Sequence, residues 1–180
     1  MENQATSRKT EDGMLTGMFT DKDSTENAYR SLRDRGYSDD EINVIMSDST
    51  RDEYYKNDTE SELGSKAAEG TGIGSAIGGT LGAIIGGVAA IGTNLILPGL
   101  GLIVWGPLAA ALAGAGAGGI TGGLVGALVG WGIPEDRAKL YETGIGNGGT
   151  VLGVTPKSPE DAEFFESEWK TKHNGQHIYR

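Results

Sequence analysis

GTGIGSAIGGTLGAIIGG, residues 70–87, places glycine at every fourth position without a miss: Gly70, Gly74, Gly78, Gly82 and Gly86. Ile73, Ile77, Leu81, Ile84 and Ile85 lie between them. A spacing of four is a helix spacing, yet each interior glycine costs a helix about 1 kcal/mol against alanine. A second run, residues 108–130, repeats the pattern at Gly114, Gly118, Gly122, Gly126 and Gly130. Residues 70–91 hold eight glycines and residues 108–130 another eight, roughly 8 kcal/mol against each helix. Such helices do not form alone in water. Hydrocarbon enforces helix, because the backbone must satisfy its own hydrogen bonds there. Close helix–helix contact also rewards glycine, because two backbones can approach where side chains are absent. The expectation is an antiparallel glycine-zipper hairpin.

Charge marks off the same segment. Between Glu69 and Glu135 lie 65 residues without a charged side chain, while the whole chain of 180 residues carries a net −10. The chain therefore divides into a polar tail (1–13), a head made of 14–63 with 133–180, and an apolar insert (64–132). A disordered linker is disfavoured for the insert, because Ile, Leu and Val are too frequent for a solvated coil. A soluble buried hairpin needs covering surface, and the head is too small to cover two helices each about 33 Å long. Lipid or other copies of the chain must supply the cover.

Between the glycine runs, Pro98-Gly99 breaks helical continuity. The connection is apolar: Leu95, Ile96, Leu97, Leu100, Leu102, Ile103, Val104 and Trp105. It reads as a hairpin tip buried in a bilayer or against neighbouring subunits. Trp131 at the base, with Lys66, Arg137 and Lys139 flanking it, reads as an interfacial anchor that holds both termini in the cytoplasm. The N-terminus MENQATSRKTEDG is polar and lacks a secretory h-region.

The flanks alternate strand and helix. MLTGMFT (14–20) reads as a strand, STENAYRSLRDRG as a helix capped by Asp23 or Ser24, and INVIMS (42–47) as a second strand. After the insert, Pro134 opens a helix with Ala138, Tyr141 and Ile145 facing inward. Residues 149–156 read as a strand. Ser158-Pro159-Glu160 starts a helix lined by Ala162, Phe165 and Trp169, and residues 177–179 read as an edge strand. The expected fold is α+β, a small ferredoxin-like head carrying the inserted hairpin.

Chemistry is sparse. There is no cysteine, hence no thiolate site and no disulfide. The negative charge argues against nucleic acid as a partner. His173 and His177 stand four apart, but Gly175 between them points to a helix end, and no metal site is expected. Gly144-x-Gly146-x-x-Gly149 follows a helix and precedes a strand, the reverse of a dinucleotide fingerprint, and reads as a turn. No catalytic constellation and no cofactor are expected.

GMFTDKDSTENAYRSLRDRGYSDDEINVIMSD and GIPEDRAKLYETGIGNGGTVLGV resemble segments of the YflT-like general stress proteins of bacteria. The resemblance implies a stress-associated, non-enzymatic protein. The expected function is structural: self-association, insertion into the cytoplasmic membrane, or both, through the hairpin. The alternatives are a large soluble cytoplasmic assembly with buried hairpins, or a ligand-binding or sensory head that signals through the hairpin.

Overall fold

The computed structural model describes residues 13–55, 101–110 and 123–180, together with the backbone of 94–97. β1 (Leu15–Phe19) runs into α1 (Lys22–Asp34). The cap of α1 is Asp21, not Asp23 or Ser24, and its carboxylate accepts the Ser24 N–H at 2.8 Å. Three candidate caps within four residues left the start open, and the one placed three before a free N–H prevails. Gly36 ends the helix with φ +87.

A short 3₁₀ turn leads into β2 (Ile42–Ser47), followed by α2 (Asp48–Tyr55). Then come β3 (Asn94–Leu97), β4 (Leu102–Trp105), α3 (Gly123–Gly130), α4 (Glu135–Gly146), β5 (Thr150–Val154), α5 (Pro159–Lys172) and β6 (Gln176–Tyr179). Ser158 caps α5, accepting the Asp161 N–H, with proline following it at the first helical position.

The six strands form one antiparallel sheet in the order β3-β4-β2-β5-β1-β6. β5, from the C-terminal flank, lies between β1 and β2 from the N-terminal flank. Val154 pairs with Leu15 on one side and Ile42 on the other. The two flanks therefore share one sheet.

Side chains alternate across that sheet, and both faces are covered. Leu15, Phe19, Ile42, Val44, Met46, Ile103, Trp105, Leu152 and Val154 pack with residues of α1, α2 and α5. Met18, Ile45, Leu102, Val104 and Val151 pack on the other face with Leu108, Ala109 and residues of α3 and α4.

The reading of residues 95–105 as a remote tip is corrected here. Leu95, Ile96 and Leu97 belong to β3; Leu102, Ile103, Val104 and Trp105 form β4, which pairs with β2 from Val44↔Trp105 to Ser47↔Leu102. Leu100 lies outside the described residues. The physical reason is that β2 leaves a row of backbone groups that must be paired. A strand buried on both faces is apolar at every position, so LIVW carries no alternation to mark it. Trp105 is 3% exposed inside the core, not at an interface. A continuous helix over 108–130 is corrected as well: residues 107–110 and 123–130 are helical, but Gly123 has φ +63, which breaks a right-handed helix at that residue.

Candidate functional site

Beyond the pairing of β4 with β2, a buried polar side chain of the head holds the insert. Asn43, on β2, is 4% exposed. Its Oδ1 accepts the Leu108 N–H at 2.8 Å, and its amide donates to the Gly153 carbonyl at 3.3 Å. Leu108 follows Pro107 in the first turn of the helical residues after β4, where an N–H has no partner within its own helix. Asn43 supplies that partner and ties insert, β2 and β5 together. Gly106 makes the preceding turn with φ +88, hard against the backbone of Ile42 and Asn43.

α3 presents two unlike faces. Leu124, Ala127 and Leu128, at i, i+3 and i+4, are buried against the sheet. Val125 and Gly126 are half-buried, and Val129 and Gly130 are exposed, Val129 at 42%. Among the described residues, nothing lies within 4 Å of the place a Cβ would take on Gly126 or Gly130. Two of the expected helix-packing glycines thus sit on a face turned away from the head. Gly70, Gly74, Gly78, Gly82, Gly86, Gly114, Gly118 and Gly122 lie outside the described residues, as does Lys66.

The base of α3 turns through Trp131 and Gly132 (φ +88) into α4. Trp131 is half-buried against the second-face core. With Met14, Ile133, Tyr179 and Arg180 it lines a shallow groove of about 270 Å³. Arg137, on α4, holds its guanidinium 5.7 Å from the centre of the Tyr179 ring. Trp131 and Arg137 are thus neighbours of one edge of the sheet. Among the described residues no helix is long and apolar enough to cross a membrane.

Tyr37, Asp161 and Glu41, all shifted from their ordinary titration, belong to a network that staples the flanks together. Tyr37 donates to Asp161 at 2.8 Å and accepts the Lys157 N–H at 2.6 Å. Arg35 meets Asp161 at 2.5 Å, and Lys157 meets Glu41 at 3.0 Å. Burial pushes the Tyr37 hydroxyl up to about 12. Burial would also raise Asp161, but the bonds from Arg35 and Tyr37 outweigh it and hold the carboxyl below its usual range. Hydrogen bonds from the Ser38 backbone, Lys157 and the Ser38 hydroxyl lower Glu41 to about 2. Tyr29, buried and bonded to Asp39 at 2.6 Å, is pushed well above the ordinary tyrosine range. Each of these groups is satisfied by a neighbour, and structural ion-pair networks perturb their members in this way. Among the described residues, no cluster of three His, Asp or Glu could hold a metal ion.

Sequence reasoning singled out Gly126, Gly130, Trp131 and Arg137 and passed over Asn43, whose role depends on a partner 65 residues away. Compared with protein-family models, curated proteins and solved structures, the chain matches none.

Proposed function

We propose that the chain is a non-enzymatic structural protein that self-associates through the glycine face of its insert. One observation carries this reading: α3 buries Leu124, Ala127 and Leu128 against the sheet, with Val125 packed at the margin of that core, and turns Gly126, Val129 and Gly130 away from it. A helix needs only its apolar stripe to dock on a sheet. Glycine repeated at four on the opposite side has a use only where a second backbone comes close. The expected glycine zipper supplies that second backbone, from the run at 70–91 or from another copy.

The head is read as ferredoxin-like: β6, β1, β5 and β2 stand in that order with α1 and α5 on one face, the arrangement of two interlocked βαβ units. Kinship with the YflT-like stress proteins, and a stress-associated role, rest on the two head segments quoted above. Lipid contact at the cytoplasmic membrane is the second reading. The half-buried Trp131, with Arg137 close by, favours it as an anchor at the base of the insert. Because β3 and β4 return to the head midway through the insert, self-association accounts for the segment better than a single long hairpin spanning a bilayer.

The test is detergent-free fractionation and sizing of the wild-type chain beside Gly126→Leu and Gly130→Leu. The expected result is a wild-type oligomer that both leucine variants reduce or abolish while the far-UV circular dichroism stays unchanged. A monomeric wild type, or variants that assemble as well as it does, overturns the proposal. Recovery only in the membrane pellet supports the lipid reading.

A further inference from the structure

α5 ends at Lys172, and the chain turns back into β6 through His173, Asn174 and Gly175. The turn is tight: the Gly175 N–H donates to the Trp169 carbonyl at 2.7 Å, and a Cβ at Gly175 would stand 2.9 Å from that same oxygen. Asn174 and His177 take left-handed backbone conformations, with φ of 51° and 49°. That region is uncommon for non-glycine residues, although asparagine and histidine enter it more readily than most, and it persists where surrounding structure imposes it.

The polar side chains of this corner are incompletely paired. His173 and Glu168 are only 14% and 13% exposed, yet the imidazole Nε2 lies 4.0 Å from Glu168 Oε1, beyond hydrogen-bond reach. His173 Nε2, Glu168 Oε2 and the indole Nε1 of Trp169 are buried with no hydrogen-bond partner among the described residues. Buried polar atoms are nearly always paired, so three of them within one helical turn and its cap ask for a reason. The strand that follows is weakly held. Among the described residues β6 pairs only with β1, at the sheet edge, and its register shifts between the Thr16 and Met18 pairs. From the other face, Tyr141 donates to the His177 carbonyl at 2.7 Å.

We infer that this corner is an acid-released latch: a proton taken up at His173 unseats the end of α5 and frees β6 from the edge of β1. A neutral imidazole is tolerated in the corner, whereas an imidazolium must be stripped of water there. Glu168 attracts that charge, but its Oε1 already faces the Lys172 ammonium at 3.4 Å, and Lys172 repels the imidazolium. Of the elements packed on α5, β1 has no ionisable side chain and β6 brings His177 and Tyr179. α1 packs there too, but the charges acting on His173 are those of Glu168 and Lys172. Burial is the largest influence and holds the imidazole below its ordinary 6.5. The open corner therefore binds the proton better than the closed one. Closure is fully supported above pH 6.5 and weakens as pH falls below it, until the seated imidazole itself titrates.

The chain has two histidines, so His177→Gln serves as the internal control. The experiment is NMR-detected amide exchange of the full chain between pH 7.5 and 5.5, corrected for intrinsic exchange, with His173→Gln and His177→Gln. In the wild type, opening of residues 176–179 should grow by up to about tenfold per pH unit below 6.5 while β5 stays protected. His177→Gln should keep that response and His173→Gln should lose it. Unchanged β6 protection in the wild type, a response that survives His173→Gln, or β5 opening in step with β6 overturns the inference. Should His173→Gln not fold, titration of the two imidazoles in the wild type decides. A His173 midpoint below 6.5, followed by the β6 amides, supports the latch, and a midpoint at or above 6.5 overturns it.

Discussion

Gly106 and Asn43 together fix where the insert leaves the sheet, and each is replaceable only at a cost. At Gly106 a methyl group would overlap the Ile42 carbonyl oxygen, and φ is +88. The obstacle is backbone, which cannot swing aside like the end of a side chain. Gly106→Ala should therefore lose about 2–4 kcal/mol of unfolding free energy, the sum of left-handed strain and overpacking, read from urea denaturation. An unchanged midpoint would refute the close approach. Asn43→Ala strands the Leu108 N–H in a buried place, and about 1–3 kcal/mol should go with it. Exchange at the Leu108 amide should quicken in that variant, and a still-protected Leu108 amide would show that another acceptor serves it.

Elements differ in how openly the sequence announces them. α1, α4 and α5 were legible because Ala28, Tyr29 and Leu32, then Ala138, Tyr141 and Ile145, then Ala162, Phe165 and Trp169 recur at helical spacing and are all buried. β2 and β5 were legible through Ile42, Val44, Ile45, Val151 and Val154 between turn residues. α2 was missed because DSTRDEYY has only Thr50 and Tyr55 buried, too few to mark a face. β3 and β4 were misread because four apolar residues flanking Pro-Gly fit a buried turn as well as a buried hairpin, and nothing local says which surface buries them. Of the candidate site, Gly126 and Gly130 stand out by spacing alone, whereas Asn43 needs the fold to bring Leu108 near it. Caps are the cleanest element-scale test. Ser158→Ala removes the acceptor for the Asp161 N–H and should cost about 1 kcal/mol, measured by thermal unfolding. A loss near zero would mean that Pro159 alone sets the start of α5.

Across the whole molecule, acid should act on the staple between the flanks. Glu41 titrates near 2, held there first by the Ser38 backbone N–H and then by Lys157. Its folded value lies below its ordinary 4.5, so its contribution is full above pH 4.5 and is lost as pH falls toward 2. Glu41→Gln should flatten that acid limb in urea midpoints taken from pH 6 to pH 2. Salt should weaken only the Lys157 share, since a side chain 40% exposed is screened. An acid limb identical in Glu41→Gln would refute the assignment. The placing of β5 between β1 and β2 has a consequence in time. A ribosome delivers β1 and β2 first, and neither finds its central partner until Thr150 emerges. The roughly 100 residues in between take roughly 5–20 s at ~5–20 residues per second. During that interval the uncharged stretch between Glu69 and Glu135 leaves the exit tunnel ahead of β5 and β6, two of the six strands. Nascent chains stalled before β5 should therefore be captured by chaperones or pellet, and chains released after β6 should not. For this protein the order of synthesis, as much as the finished contacts, decides how long β1 and β2 wait for the strand that joins them.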